Sequence, residues 1–201
     1  MSRHVFGVSG LIGCARRSDV RIPPVALNGR GYSEIMSSFD ISLIRLASPI
    51  GRLELTADDT GIRSLSIENN GRLPLDATPE RPSPVLRQAA GQLDEYFAGA
   101  RRTFELAVHF SEGTPFQRSV WQGLQGLAFG DVISYGDLGA RIGRPGSGRA
   151  IGGAVGANPV PIIVGCHRVL ATNGRITGYS GGAGIATKAW LLDHEGIEHT
   201  A

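Results

Sequence analysis

Pro161-Ile162-Ile163-Val164-Gly165-Cys166-His167-Arg168-Val169 ends a run of β-branched apolar residues on a thiol, an imidazole and a guanidinium. Such a run predicts a short buried strand. A strand there delivers Cys166 to the floor of a pocket, beside two groups able to stabilise a thiolate. The other cysteine, Cys14, is far away and neither has a CxxC partner. That argues against a disulfide framework or a structural zinc site and points to a reducing cytoplasm. A solitary cysteine is usually a small hydrophobe. Placed before His-Arg at a strand end, Cys166 instead reads as chemical.

A chain of 201 residues forms one large domain or two small ones. No run approaches the roughly 20 apolar residues of a membrane span, so no membrane partner is expected. The net charge of +2 is uneven, with +3 in residues 1–35, −3 in 36–114 and +2 in 115–201. A mildly basic C-terminal half permits nucleic-acid binding without requiring it.

Residues 1–35 lack periodicity and are expected to be a disordered leader, the product of a start assigned too far upstream at Met1. Leu11-Ile12-Gly13-Cys14 resembles a lipoprotein cleavage box, but the apolar stretch before it is short and broken. Residues 36–112 read as an α+β module. "DISLIRLASPIGRLELTADDTGIRSLSIEN" alternates like a three-strand antiparallel meander with turns at Pro/Gly and Asp/Gly. Ser83 caps a helix that starts at Pro84, repeats Val85, Leu86, Ala89, Leu93, Tyr96 and Phe97 at helical spacing, and ends at Gly99. "FELAVHF" reads as a further strand, with His109 a wall or surface residue.

Residues 113–201 read as mainly helical. Thr114 caps a helix with Phe116, Val120, Trp121 and Leu124 on its apolar face, closed by Phe129-Gly130. Ser134 caps "YGDLGARIG", and Pro145-Gly146-Ser147-Gly148 turns into "RAIGGAVGAN". Two short helices joined this way predict a helix-turn-helix. The second helix lacks the long polar side chains that read the major groove. Gly152, Gly153 and Gly156 each cost about 1 kcal/mol relative to Ala in a helix interior. The spacing leaves two reasons for so slim a helix: tight packing inside the protein, or insertion into a minor groove only about 6 Å wide. In a groove, Ala150, Gly153 and Ala154 would let the backbone approach the sugars, and Arg149 could fill the gap left by an extruded base.

"GTPFQRSVWQGL", "ISYGDLGARIGRPGSGRAIGGAVGANPVPIIVGCHRVLATNGRITGYSGG" and "KAWLLDHEG" together resemble the 6-O-alkylguanine-DNA alkyltransferases, the methylated-DNA–protein-cysteine methyltransferases. "SPIGRLELTADDTGIRSL" and "QLDEYFAG" resemble that family's N-terminal half, so the likeness covers roughly residues 40–197. The resemblance implies an α+β fold, with an N-terminal ribonuclease-H-like domain and a C-terminal helix-turn-helix, winged-helix-like domain. By position, Cys166 resembles the alkyl acceptor, His167 the base that activates it through a water, and Glu195 the carboxylate that orients the His. Asn158 resembles the hinge between helix-turn-helix and active-site loop, Arg149 the arginine finger, and Tyr135 the residue that rotates a phosphate during base flipping. Tyr179 and Ser180 resemble the lid over the guanine and the donor to its oxygen, while Arg168 binds phosphate or holds a loop. The family's Pro-Cys-His-Arg reads Gly165-Cys166-His167-Arg168 here, which predicts a looser backbone and a slower or more permissive transferase. With no four-cysteine module, the chain resembles the stand-alone type.

The implied chemistry extrudes an alkylated guanine from duplex DNA and attacks its alkyl carbon with a thiolate. 4-O-methylthymine is a second candidate lesion. The thioether product is stable, so a single turnover, no cofactor, no metal and a monomer in the cytoplasm are expected. The alternatives are a non-catalytic sensor that binds alkylated guanine and recruits repair proteins, a transcription factor, and a Cys-His hydrolase.

Overall fold

The computed structural model describes residues 41–200, so the leader with Cys14 and its cleavage box lies outside the described residues. The meander is present as β1 (Ser42–Leu46), β2 (Leu53–Asp58) and β3 (Gly61–Ile67), antiparallel in the order β1-β2-β3. Leu55 lies opposite Ile44 and Leu65, and a bulge at Thr56/Ala57 shifts the register toward the Asp58–Gly61 turn. Leu53, Leu55 and Ala57 face the core at alternate positions of the central strand. Its other face is covered too: Glu54 is buried and takes Nε of Arg45 at 3.0 Å and the Leu75 amide at 3.0 Å.

Helix α1 (Pro84–Phe97) starts as the sequence predicts, with Ser83 as cap and Pro84 at its first position. Leu86, Ala89, Leu93 and Tyr96 are buried against the sheet side of the core. The predicted strand in 104–110 is reduced to one bridge, Val108 to Ile62. Phe104, Leu106, Val108 and Phe110 do alternate as half-buried positions. However, the Glu105 amide is taken by the Gln92 side chain at 2.8 Å, so no ladder extends there. His109 is exposed and bonds Thr60.

Helix α2 (Pro115–Gln125) carries a full capping box between Thr114 and Gln117. It ends at Gly126, not at Phe129-Gly130, because the Asp131 carboxylate takes the Ala128 amide at 2.8 Å and folds that segment into a turn. Strand β4 (Ile133–Ser134) leads into α3 (Tyr135–Arg141), capped by Ser134, and a turn leads to α4 (Gly148–Gly156). β4 pairs in parallel with β5 (Val169–Leu170), and α5 (Ile185–His194) closes the chain with Glu195 as its C-terminal cap. One cluster of buried apolar residues runs from Leu53 in the sheet through Trp121, Ile151 and Val164 to Leu191. No helix among the described residues is long and apolar enough to cross a membrane.

Candidate active site

The apolar run before Cys166 is not a strand. Pro161–Val164 forms a tight turn in which Ile162 sits at φ 73°, a conformation a β-branched residue rarely adopts. Asn158 holds that turn. Its Nδ2 donates to the Val164 carbonyl at 2.9 Å, and its Oδ1 accepts the Val160 amide at 3.1 Å. The Leu65 amide of β3 donates to the Pro159 carbonyl at 2.9 Å, which ties the turn to the sheet. Cys166 then opens a single 3₁₀ turn, Cys166–Arg168, and is 5% exposed. The thiol therefore reaches the pocket floor from a strained, side-chain-braced turn.

A cavity of about 470 Å³ opens above Cys166, walled by Tyr135, Arg149, Gly152, Tyr179, Ser180 and Lys188 among others. The sequence placed His167 and Arg168 beside the thiol as its stabilisers. Both side chains point instead to Glu195. His167 Nε2 lies 2.9 Å from Glu195 Oε1, and Arg168 donates to both oxygens, from Nη2 to Oε1 and from Nε to Oε2, at 2.8 Å each. The Tyr96 hydroxyl donates to Oε1 at 2.9 Å and the Gly130 amide to Oε2 at 3.2 Å. Around the thiol stand Asn158, Tyr179 and Lys188. The Tyr179 hydroxyl has no close hydrogen-bond partner and faces the sulfur.

Burial pushes the Cys166 thiol up, against the opposing pull of Asn158, Lys188 and Tyr179. Burial also pushes His167 below its usual value, against the pull of Glu195. The resting pair is thus a neutral thiol beside a neutral imidazole. With Nε2–H donated to a carboxylate, Nδ1 is the accepting nitrogen, and no protein group occupies it. Burial alone would raise the Glu195 carboxyl, but the His167 and Arg168 hydrogen bonds overrule it and hold it well below the usual range. Burial lowers Lys188 to about 8, and its Nζ donates to the Val169 carbonyl.

Arg149, Ala150 and Gly153 are exposed on α4, and Arg149 also lines the cavity. Ala154 is not placed for a groove contact: it is buried, and its carbonyl takes Nε1 of Trp121 at 2.8 Å. Ser180 is exposed and donates to the Gly156 carbonyl at 2.6 Å, and Tyr135 accepts from the Thr177 hydroxyl at 3.1 Å. Tyr96, Gly130 and Lys188 carried no role in the sequence. Tyr96 hides in a helical apolar pattern, whereas Lys188 did leave a signal as the single lysine of the chain.

Gly165 is not required by its backbone conformation. Its φ of −67° is one proline adopts. What it supplies is room, since a β-carbon there would lie 2.7 Å from Arg168 Nη1 and 2.9 Å from Arg168 Cδ. Gly165→Ala should therefore force Arg168 off Glu195 and lower stability by about 1–3 kcal/mol. Denaturant unfolding checks this, and an unchanged midpoint would show that Arg168 relaxes freely.

Two family models match this chain: the 6-O-methylguanine DNA methyltransferase ribonuclease-like domain over residues 43–110, and the DNA binding domain of the same family over 115–197. The methylated-DNA–protein-cysteine methyltransferase of Salmonella typhimurium is 50% identical over 105 residues, 52% of this chain, and the match spans only 60% of that protein's length. The constitutive enzyme of that name from Bacillus subtilis is 38% identical over 156 residues, which is 76% of this chain and 93% of its own. The crystal structure of Mycobacterium tuberculosis OGT in complex with DNA superposes with a TM-score of 0.68 at 38% identity, covering 77% of this chain and 93% of that one. Matched over both halves in order, the chain belongs to the 6-O-methylguanine DNA methyltransferase family, with a ribonuclease-like domain followed by a DNA-binding domain.

Proposed function

We propose that this protein repairs DNA by irreversible transfer of the alkyl group of 6-O-alkylguanine to Cys166, after minor-groove binding and base flipping. The observation that carries the reading is the position of Cys166 at the base of a cavity whose rim is the glycine-rich helix α4. The glycines of that helix favour groove insertion over internal packing. A β-carbon at Gly153 or Gly156 would meet nothing within 4 Å, and one at Gly152 only an ordinary contact with Tyr135. Internal packing does not account for so slim a helix. A narrow groove does.

In the reaction, Arg149 fills the stack where the lesion leaves it, and the base enters the cavity between Tyr135 and Tyr179. His167 Nδ1 takes the Cys166 proton through a water, with Glu195 holding the ring. The sulfur forms a bond to the alkyl carbon as the carbon–oxygen bond breaks, and the electron pair passes to the guanine. A hydroxyl such as that of Tyr135 donates a proton to the ring nitrogen, and Ser180, its hydroxyl swung from the Gly156 carbonyl, donates to the oxygen. The thioether stays on the protein, so each molecule acts once and needs no cofactor. 4-O-methylthymine presents the same alkyl–oxygen bond. Arg168, locked on Glu195 and on the Leu127 carbonyl, holds the loop and does not reach phosphate.

Titrating a duplex carrying 6-O-methylguanine with protein tests the reading. Repaired base should plateau at one per protein molecule, whereas continued turnover would indicate a hydrolase and binding without repair a sensor. The groove contact has its own check. Gly153→Leu should leave folding stability unchanged or raise it by up to about 1 kcal/mol, and should weaken DNA binding by about tenfold or more, the equivalent of 1.4 kcal/mol. If affinity is unchanged in a fluorescence-anisotropy titration, α4 is not the groove element.

A further inference from the structure

Glu195 gathers five hydrogen bonds on a buried carboxylate, and four come from the C-terminal half: two from Arg168, one from His167 and one from Gly130. The fifth comes from α1 in the N-terminal half, where the Tyr96 hydroxyl donates to Oε1 at 2.9 Å. This is the oxygen that also meets His167. We propose that Tyr96 is a positioning residue for the reaction at Cys166, its hydroxyl fixing the Glu195 carboxylate and, through it, the proton-accepting His167. The inference rests on the alkyl-transfer reading above.

Packing alone does not account for that hydroxyl. Tyr96 is fully buried in an aromatic cluster, with ring centres 5.3 Å from Phe97, 5.4 Å from Phe104, 6.1 Å from Phe129 and 4.8 Å from His194. Its neighbours in the cluster include three phenylalanines, so a phenylalanine would fill the same space. A hydroxyl carried into such a place costs free energy unless it is bonded. Here it is bonded to the one carboxylate that sets the imidazole. Burial, and next the Glu195 charge, push the phenol well above its ordinary range, so it stays a proton donor at every working pH. Tyr96 is also tied at its other end. His194 Nε2 lies 2.8 Å from the Tyr96 carbonyl. The residue therefore grips the last turn of α5 at His194 and its cap at Glu195 together.

The electrostatic consequence has a definite sign. The charged and titratable groups around the pair are Arg168, Lys188, Tyr96 and the His194 ring. Without the hydroxyl, Oε1 keeps only His167 and Arg168, and more of its charge falls on the imidazole. That favours imidazolium, which cannot accept the thiol proton. The acid limb of the rate profile should move to higher pH, and the reaction at neutral pH should slow.

The test is Tyr96→Phe in the full chain, assayed by single-turnover methyl transfer from a duplex carrying 6-O-methylguanine across the range in which histidine titrates. The expected result is transfer about tenfold slower at neutral pH, the size of one lost hydrogen bond to a charged group. The acid limb should be displaced upward, with lesion-DNA affinity unchanged. 3-Fluorotyrosine in place of Tyr96 preserves the ring and strengthens the donor, so its limb should move the opposite way. That variant decides the matter if Tyr96→Phe does not fold. A reduced active fraction with a wild-type profile would mean that Tyr96 serves packing alone, and superimposable profiles in both variants would likewise overturn the proposal. A wild-type protein that transfers nothing would overturn the alkyl-transfer reading, and the role of Tyr96 with it.

Discussion

Cys166→Ala should abolish alkyl transfer outright and leave binding to lesion-containing duplex close to wild type. The sulfur is the bond-forming atom in the proposed reaction, and no other thiol is present among the described residues. In the proposed reaction His167 takes a proton and Tyr179 covers the base, so neither replaces the sulfur as acceptor. Binding should survive because the surface proposed to meet DNA, Arg149 and the open glycines of α4, lies on the cavity's rim and the thiol at its base. The substitution removes a small buried side chain, so folding should suffer by only about 1 kcal/mol. Band-shift affinity and methyl counts on the same preparation measure both effects. Residual transfer in this variant would move the acceptor elsewhere, and lost binding would mean that Cys166 shapes the groove surface.

Glu195→Gln should damage stability and rate together. The carboxylate accepts two hydrogen bonds from Arg168, and the Arg168 side chain is only 6% exposed. Making the partner neutral leaves a buried guanidinium uncompensated, at a cost of about 3–5 kcal/mol. The same change replaces an acceptor-only carboxylate with an amide that also donates, so the His167 tautomer is no longer fixed and single-turnover transfer should fall about 100-fold or more. Stability should also change its dependence on pH. Glu195 is depressed in the folded state, so its contribution is present above its unfolded value of 4.5 and is lost as pH falls below it. His167 is depressed as well. The unfolded chain therefore binds its proton first, and stability declines as pH drops below 6.5. Glu195→Gln should erase the lower of these two losses and deepen the upper one, because His167 loses the carboxylate that pulls it up. Thermal unfolding followed against pH resolves them.

Much of this was legible in the sequence because local rules settle it. Ser83-Pro84, Thr114 and Ser134 mark helix starts by side-chain bonds within three residues, and all three caps form. The meander was readable from alternation and turn residues. The two misread strands share one cause: long-range or side-chain partners took backbone groups that propensity assigned to a ladder. Gln92 takes Glu105, and Asn158 bends Pro161–Val164 into a turn that a β-branched run would not form alone. The structure brings His167 to Glu195 and Asn158 to Cys166. The directions of His167 and Arg168 were not legible, because their partner is Glu195, 27 or more positions further along the chain. The burial of Ala154 follows from helical phase, as the face that packs on Trp121. Tyr96 joined the site only through the fold, across 99 positions of sequence.

The central claim is that Cys166 itself becomes alkylated. Intact-protein mass after incubation with duplex DNA carrying 6-O-methylguanine tests it most directly. The account predicts one methyl-for-hydrogen replacement per molecule, mapped by fragmentation to Cys166 and equal in amount to the guanine restored. An unmodified protein that still binds the lesion tightly, or a methyl group mapped to any other residue, would contradict it.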